Sequence, residues 1–290
     1  MIDYDSQNWL GILAKGTGSV LPRLLGRMVI AGVFGGGAVA LEHFTGFQLN
    51  PVAHGLIGVA LGLLLVFRTN ASYDRFWEGR KLVGQLVVAT RDLVRQVASQ
   101  VDDAETRAEL RRLALAFYRL AVQRLREEDD LEAVAGWLTE DERARLADVA
   151  NRAPVVATWI STRLADLEAH RDGVAHELRL HRMDANVSAM IGALTGCERI
   201  RFTPVPFAYA QHIKVFLTVF CFTSPFAMVG GMDYWTIPAA IVLTLALFGI
   251  DEIGVEIEDP FGDDPNDLPL DAIGESLATA TEEMLDRGIG

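Results

Sequence analysis

Hydrophobic positions along this chain gather in long uncharged runs rather than in short alternations. Four such blocks stand out, at 28–41, 51–67, 215–232 and 234–250. About twenty apolar residues in a helix cross a bilayer, and shorter spans occur, so the last three blocks suit membrane helices. The first is short and rich in glycine (Gly32, Gly35, Gly36, Gly37) and alone reads as a buried helix, but its neighbours make insertion the better reading. The pattern predicts membrane helices over about 24–45, 51–67, 211–231 and 234–250. Between the second and third, 68–204 is dense in Arg, Glu, Asp and Leu. There Leu82, Leu86, Ala89, Leu93 and Val97 recur at helical spacing, as do Leu110, Leu113, Phe117 and Leu120. Gly136, Pro154 and Gly173 are expected to separate four long helices in this region. No β alternation occurs. The fold class is an all-α integral membrane protein: four transmembrane helices per subunit joined to a cytosolic helical bundle. It reads as one domain over 1–290, ending in an acidic loop and tail at 251–290.

The second block ends abruptly. After Phe67 come Arg68, Asn70, Asp74, Arg75 and Glu78. Pro51 suits a first helical turn, and nothing before Arg68 forbids one helix from continuing out of the lipid. A membrane helix that emerges directly into a polar helix has the form of a pore-lining helix with a cytosolic extension.

Composition refines this picture. The 290 residues are 50% hydrophobic, with mean hydropathy +0.22, yet carry a formal net charge of -13, so lipid-facing and soluble parts are segregated. Lys15, Arg23 and Arg27 precede the first block, and Arg68, Arg75, Arg80 and Lys81 follow the second. The links at 42–50 and 230–233 hold no Lys or Arg. Basic loops stay inside, so both termini and the middle region are expected in the cytoplasm of a bacterial inner membrane. The first ten residues hold Asp3 and Asp5 and no apolar run, so no cleavable signal is expected. Cys197 and Cys221 form no metal-binding pair, and the acidic balance argues against nucleic acid as a partner.

Three groups are candidates for chemistry. His170, His176 and His181 cluster in HRDGVAHELRLH, but the last two are five residues apart and diverge by about 140° on a helix, unlike a zinc-binding HExxH. No phosphate loop or nucleophile elbow accompanies them, so no enzyme is expected. The run EIEDPFGDDPND, from 256 to 267, holds six carboxylates without EF-hand spacing, and reads either as a solvated acidic loop or as a site for a hard cation. Val59, Leu63 and Phe67 form an apolar stripe that serves lipid or helix packing, or, facing copies of itself, a constriction that gates by dewetting. Gly55, Gly58 and Gly62 supply a small-residue face for close helix approach.

Two strings, FRTNASYDRFWEGRKLVGQL (67–86) and CERIRFTPVPFAYAQHIKVFL (197–217), together with the acidic loop EDPFGDDPND, resemble the bestrophin family, in particular its bacterial branch. The resemblance covers nearly the whole chain and implies a homopentameric ion channel in which each subunit contributes four membrane helices around a central pore. It implies a neck at Val59, Leu63 and Phe67, counted back from the RFW motif. A second, cytosolic aperture falls on Leu178 or His181, and Asn70 and Asp74 are candidates to meet hydrated ions below the neck. The acidic loop is similar to the calcium clasp of animal bestrophins. By position Glu256, Asp259, Asp264 and Asp267 fit the Ca2+ ligands, with Ala14 giving a carbonyl, although Pro265 and Asn266 interrupt the acidic run of those relatives. No cofactor is required. Expected partners are further copies of the chain, membrane lipids and permeating monovalent ions. The family is known for chloride, but repeated acidic subunits around a ring would enrich cations, which leans the expectation to cation conduction. A non-conducting membrane scaffold and a zinc-dependent membrane enzyme are the alternatives.

Overall fold

In the computed structural model, which describes residue 5 and residues 7–168 and 174–287, helices carry almost the whole architecture. They are α1 (Trp9–Ala14), α2 (Leu21–Thr45), α3 (Pro51–Gln100), α4 (Ala104–Arg126), α5 (Glu140–Leu146), α6 (Arg152–Glu168), α7 (Val174–Phe202), α8 (Phe207–Met232), α9 (Thr236–Glu256) and α10 (Leu270–Arg287). Single 3-10 turns lie at Glu132–Val134 and Asp233–Trp235, and no strand occurs among the described residues. Among the described residues three stretches are long and apolar enough to cross a membrane: Leu21–Thr45, Pro51–Gln100 and Phe207–Glu256, the last holding both α8 and α9.

α3 dominates the molecule. Its 50 residues form one helix of about 75 Å at 1.5 Å per residue. Asn50 caps its start, its side chain accepting from the Val52 and Ala53 N–H groups, and Pro51 occupies the first turn, where a missing N–H costs nothing. The preceding helix stops at Gly46, whose φ of 70° is a left-handed C-cap that favours glycine. The short link between α2 and α3 is pinned by the Leu49 N–H, which donates to the Phe226 carbonyl of α8 at 2.8 Å.

Within α8, Pro225 has no N–H to offer the carbonyl one turn back. The Ser224 hydroxyl donates to the Cys221 carbonyl at 2.9 Å instead, so no backbone acceptor is left stranded in an apolar setting. At this level Leu24, Leu61, Leu65, Ile213, Leu217, Phe220 and Phe248 form a small core shared by α2, α3, α8 and α9.

The larger core lies in the polar half of the chain. Leu82, Leu86, Ala89, Leu93 and Val97 of α3 are buried, with Leu110, Leu113, Phe117 and Leu120 of α4, as their spacing predicts. α6 and α7 complete this bundle, and the C-terminal α10 folds back onto α3 and α4. There the Tyr118 hydroxyl donates to the Leu270 carbonyl at 2.9 Å, and Gly274 lies so close to that ring that a β-carbon would meet it at 2.9 Å.

Of the expected helix boundaries, Gly136 does lie in the link before α5, but Pro154 sits inside the first turn of α6. Gly173 falls outside the described residues. The break between α3 and α4 was not among those expected, since it carries neither Gly nor Pro. Asp103 makes it: its side chain accepts from the Thr106 N–H at 2.7 Å and restarts the helix.

Candidate ion-conduction site

On a helix of 3.6 residues per turn, Leu56, Val59, Leu63, Phe67, Asn70, Asp74 and Trp77 fall within an arc of about 80°. All are exposed; Val59 has 73%, Leu63 56% and Phe67 57% of its surface uncovered. About half a turn away, Leu61, Leu65, Arg68, Ser72 and Gly79 are buried against the rest of the chain. One face of α3 is therefore anchored, and the other presents an apolar stripe that becomes polar at Asn70 and Asp74. Of the small-residue face, Gly58 is met closely: a β-carbon there would sit 2.8 Å from the Phe220 ring of α8, which also stacks on His54 at 4.5 Å. Gly55 and Gly62 face open space.

Directly behind Phe67, Arg68 is 3% exposed. Its Nε lies 3.0 Å from Asp251 Oδ1 of α9 and its Nη2 3.5 Å from Glu258 Oε2, while Lys214 of α8 reaches Asp251 Oδ2 at 3.5 Å. Two turns further on, Arg75 donates to three carbonyls: Ile200 at 2.6 Å, Thr203 at 2.8 Å and Glu258 at 3.2 Å. These close the C-terminal end of α7 and hold the start of the acidic loop. The loop then lies across Gly79, where a β-carbon would come 2.8 Å from Pro260 and 3.1 Å from Phe261. The strings around Arg75, around Ile200 and in the acidic loop thus meet at one place, the root of the exposed stripe.

The acidic loop spends its carboxylates on arginines and on itself. Glu256 accepts from Arg23 at 3.2 Å and from Asn266 at 2.7 Å; Asp259 pairs with Arg201, and Asp263 with Arg126 at 3.0 Å. Asp264 lies 4.0 Å from Arg23. Asp267 is buried and turns back to accept from the Asp264 N–H at 2.8 Å. Burial, with the charges of Asp264, Asp259 and Glu256 nearby, pushes its carboxyl up to about 6. Among the described residues no three acidic, histidine or cysteine side chains come together to hold a metal ion. As a calcium site for Glu256, Asp259, Asp264 and Asp267 this arrangement does not fit: a hard cation needs converging free oxygens, and here the first three face guanidinium groups while Asp267 turns onto the Asp264 N–H. Asn266 donates to the Gly18 carbonyl at 3.1 Å, so Gly18 supplies the N-terminal carbonyl beside the loop; Ala14 ends α1.

Leu178 and His181 lie on α7, both exposed, and line a cavity of about 690 Å³ between α6 and α7 with Ser161, Leu164, Glu177 and Asp184. Of the histidine cluster, His170 lies outside the described residues, and the side chain of His176 likewise. Cys197, packed behind α3 in the larger core, has its thiol pushed up to about 12 by burial, which leaves it unreactive. The buried Arg68 network and the triple carbonyl contact of Arg75 are the parts that pattern reading missed. Their only sequence signal is an arginine placed among apolar neighbours.

The comparisons with known proteins agree on one family. The model of the bacterial and fungal bestrophin proteins matches residues 1–283. A Synechocystis protein named as a voltage-dependent anion channel-forming protein is 34% identical over 284 residues, spanning 96% of this chain and 92% of its own. The Escherichia coli K12 protein YneE, named likewise, is 32% identical over 293 residues, with 99% and 94% coverage. The crystal structure of a bacterial bestrophin homologue from Klebsiella pneumoniae superposes with a TM-score of 0.85 at 27% identity, covering 91% of this chain and 98% of that one.

Proposed function

The chain belongs to the bacterial and fungal bestrophin family, and from that premise we propose that it is a homopentameric membrane channel for small monovalent ions, with Val59, Leu63 and Phe67 as its neck. The observation that carries this reading is the one-sided burial of α3. Its stripe of bulky apolar residues stays exposed while the opposite face is anchored, which is what a helix needs when copies of it line an axis. Such rings impose a barrier by dewetting. The reading places four helices, α2, the apolar half of α3, α8 and α9, in the inner membrane, with both termini and the α4–α7 bundle in the cytoplasm, as the distribution of Lys and Arg favours. The named relatives are channels rather than enzymes, and their names point to anions as the permeant species.

A second reading, cation conduction, is favoured by Asp74, an exposed carboxylate on the neck stripe that a ring of subunits repeats. Net subunit charge adds to it only through acids that line the path, and Glu256, Asp259 and Asp271 are held by Arg23, Arg201 and Arg126 instead. Recording purified protein in a planar bilayer under a KCl gradient tests both. Reversal at the chloride equilibrium potential supports the anion reading, reversal at the potassium value the cation reading. A silent, intact pentamer contradicts both and favours a scaffold.

A further inference from the structure

The anchored face of α3 carries a group of buried charges whose place is specific. Arg68 follows Phe67 directly but, about 100° further round the helix, faces the anchored side, where it is 3% exposed. Asp251 of α9 is 2% exposed and meets it at 3.0 Å; Glu258 lies 3.5 Å away on the loop after α9, and Lys214 of α8 reaches Asp251 at 3.5 Å. Two cations and two anions thus balance across three helices. The remaining acids of that stretch of α9 are engaged elsewhere, Glu252 with Arg27 at 2.9 Å and Glu256 with Arg23 at 3.2 Å.

Burying charges is costly, and apolar residues of the same volume often serve stability as well or better. The better-attested use of such a pair is to fix register. Above this point α3 is held by Leu61 and Leu65, whose apolar contacts have no direction. The Arg68–Asp251 ion pair adds a charge that stays compensated only while this face of α3 meets α9. Arg68 Nε and Nη1 and Asp251 Oδ1 are buried without a hydrogen-bond partner among the described residues, so the contact is an ion pair and the Arg68 charge depends on the Asp251 and Glu258 carboxylates.

We propose that Arg68 and Asp251 are positioning residues that set the rotation of α3, and thereby hold Phe67 toward the channel axis. This rests on the neck reading above. With Asp251 neutralised, Arg68 is left buried and underpaired. The helix then relaxes by turning that side chain toward water, which swings Phe67 off the axis and lowers the apolar barrier.

The test is single-channel recording of purified Asp251→Asn in planar bilayers, beside wild type, Phe67→Ala and the apolar double variant Arg68→Met/Asp251→Leu. The expected result is a rise in open probability of about tenfold in Asp251→Asn, a shift of ~1.4 kcal/mol between states, with reversal potential unchanged and with return to wild-type gating in the double variant. A role confined to stability would lower yield and leave open probability per channel alone. Unchanged gating in folded Asp251→Asn pentamers overturns the proposal. If that variant does not assemble, Glu258→Gln, which also leaves Arg68 short of a carboxylate, is recorded, and gating identical to wild type overturns the proposal equally. Phe67→Ala separates the two claims: an unaltered unitary current there refutes the neck itself, whereas a raised current with Asp251→Asn inert refutes only the positioning role.

Discussion

Arg75 on α3 donates to the Ile200 carbonyl of α7 at 2.6 Å, and through this contact the long helix is locked to the end of the helix beside it. The same guanidinium takes the Thr203 and Glu258 carbonyls, so one side chain joins α3, the α7–α8 link and the acidic loop. Hydrogen bonds from a charged donor contribute about 1.5–3 kcal/mol each, and the freed carbonyls of a helix end have few other donors. Arg75→Ala is expected to destabilise the protein by about 3 kcal/mol or more. Arg75→Lys recovers little, because an ammonium cannot span three acceptors as a planar fork does. Thermal unfolding of the purified variants measures both.

Gly79 is required by contact rather than by backbone angle. It is helical, but a β-carbon would approach Pro260 to 2.8 Å. Gly79→Ala is expected to cost about 1–3 kcal/mol as an overpacking change, and to loosen the acidic loop. Faster amide exchange at residues 259–268 beside a lowered melting temperature would confirm it. An unchanged exchange pattern would mean that the loop is not seated on α3.

Asp267 makes stability depend on pH. Its ordinary carboxyl value is 3.8, and in the folded chain burial raises it to about 6. The folded state therefore holds the proton more tightly than the unfolded one. This contribution is fully present below about pH 4 and is lost as pH rises through 6. Asp267→Asn cannot ionise but still accepts from the Asp264 N–H. It should melt higher than wild type above pH 6, with the gap closing toward pH 4. A gap that stays constant with pH would contradict this.

Asp74 is the exposed acid of the α3 stripe. On the proposed pore reading, neutralising it in every subunit removes a ring of negative charge beyond Phe67. Asp74→Asn is expected to move the reversal potential toward that of chloride, raising the anion-to-cation permeability ratio. No shift would remove Asp74 from the ion path.

How far the sequence foretold this arrangement depended on the kind of force involved. Apolar runs and helical spacing are local, so the Leu82–Val97 series and the apolar blocks read directly into buried faces and membrane-length helices. The exposed stripe was visible as spacing, but its exposure was not, because any apolar helix has such stripes and only packing decides which is covered. Arg68 looked like the first residue beyond the lipid. In the fold it turns back among apolar neighbours to meet Asp251, 183 positions away in the chain. The acidic loop shows the converse. Its composition left a solvated loop and a cation site both open, while Arg23, Arg126 and Arg201, distant in sequence, arrive to take up the carboxylates. Long-range charge pairing leaves no periodic trace.

The most direct measurement is the unitary current of Phe67→Ala against wild type, both as purified pentamers in planar bilayers under the same KCl gradient. If Val59, Leu63 and Phe67 form the neck, removing its bulkiest side chain lowers the dewetting barrier, and the current rises severalfold with the pentamer intact. An identical current in a correctly assembled variant would show that ions do not pass Phe67, and the account of α3 as the pore-lining helix would fall.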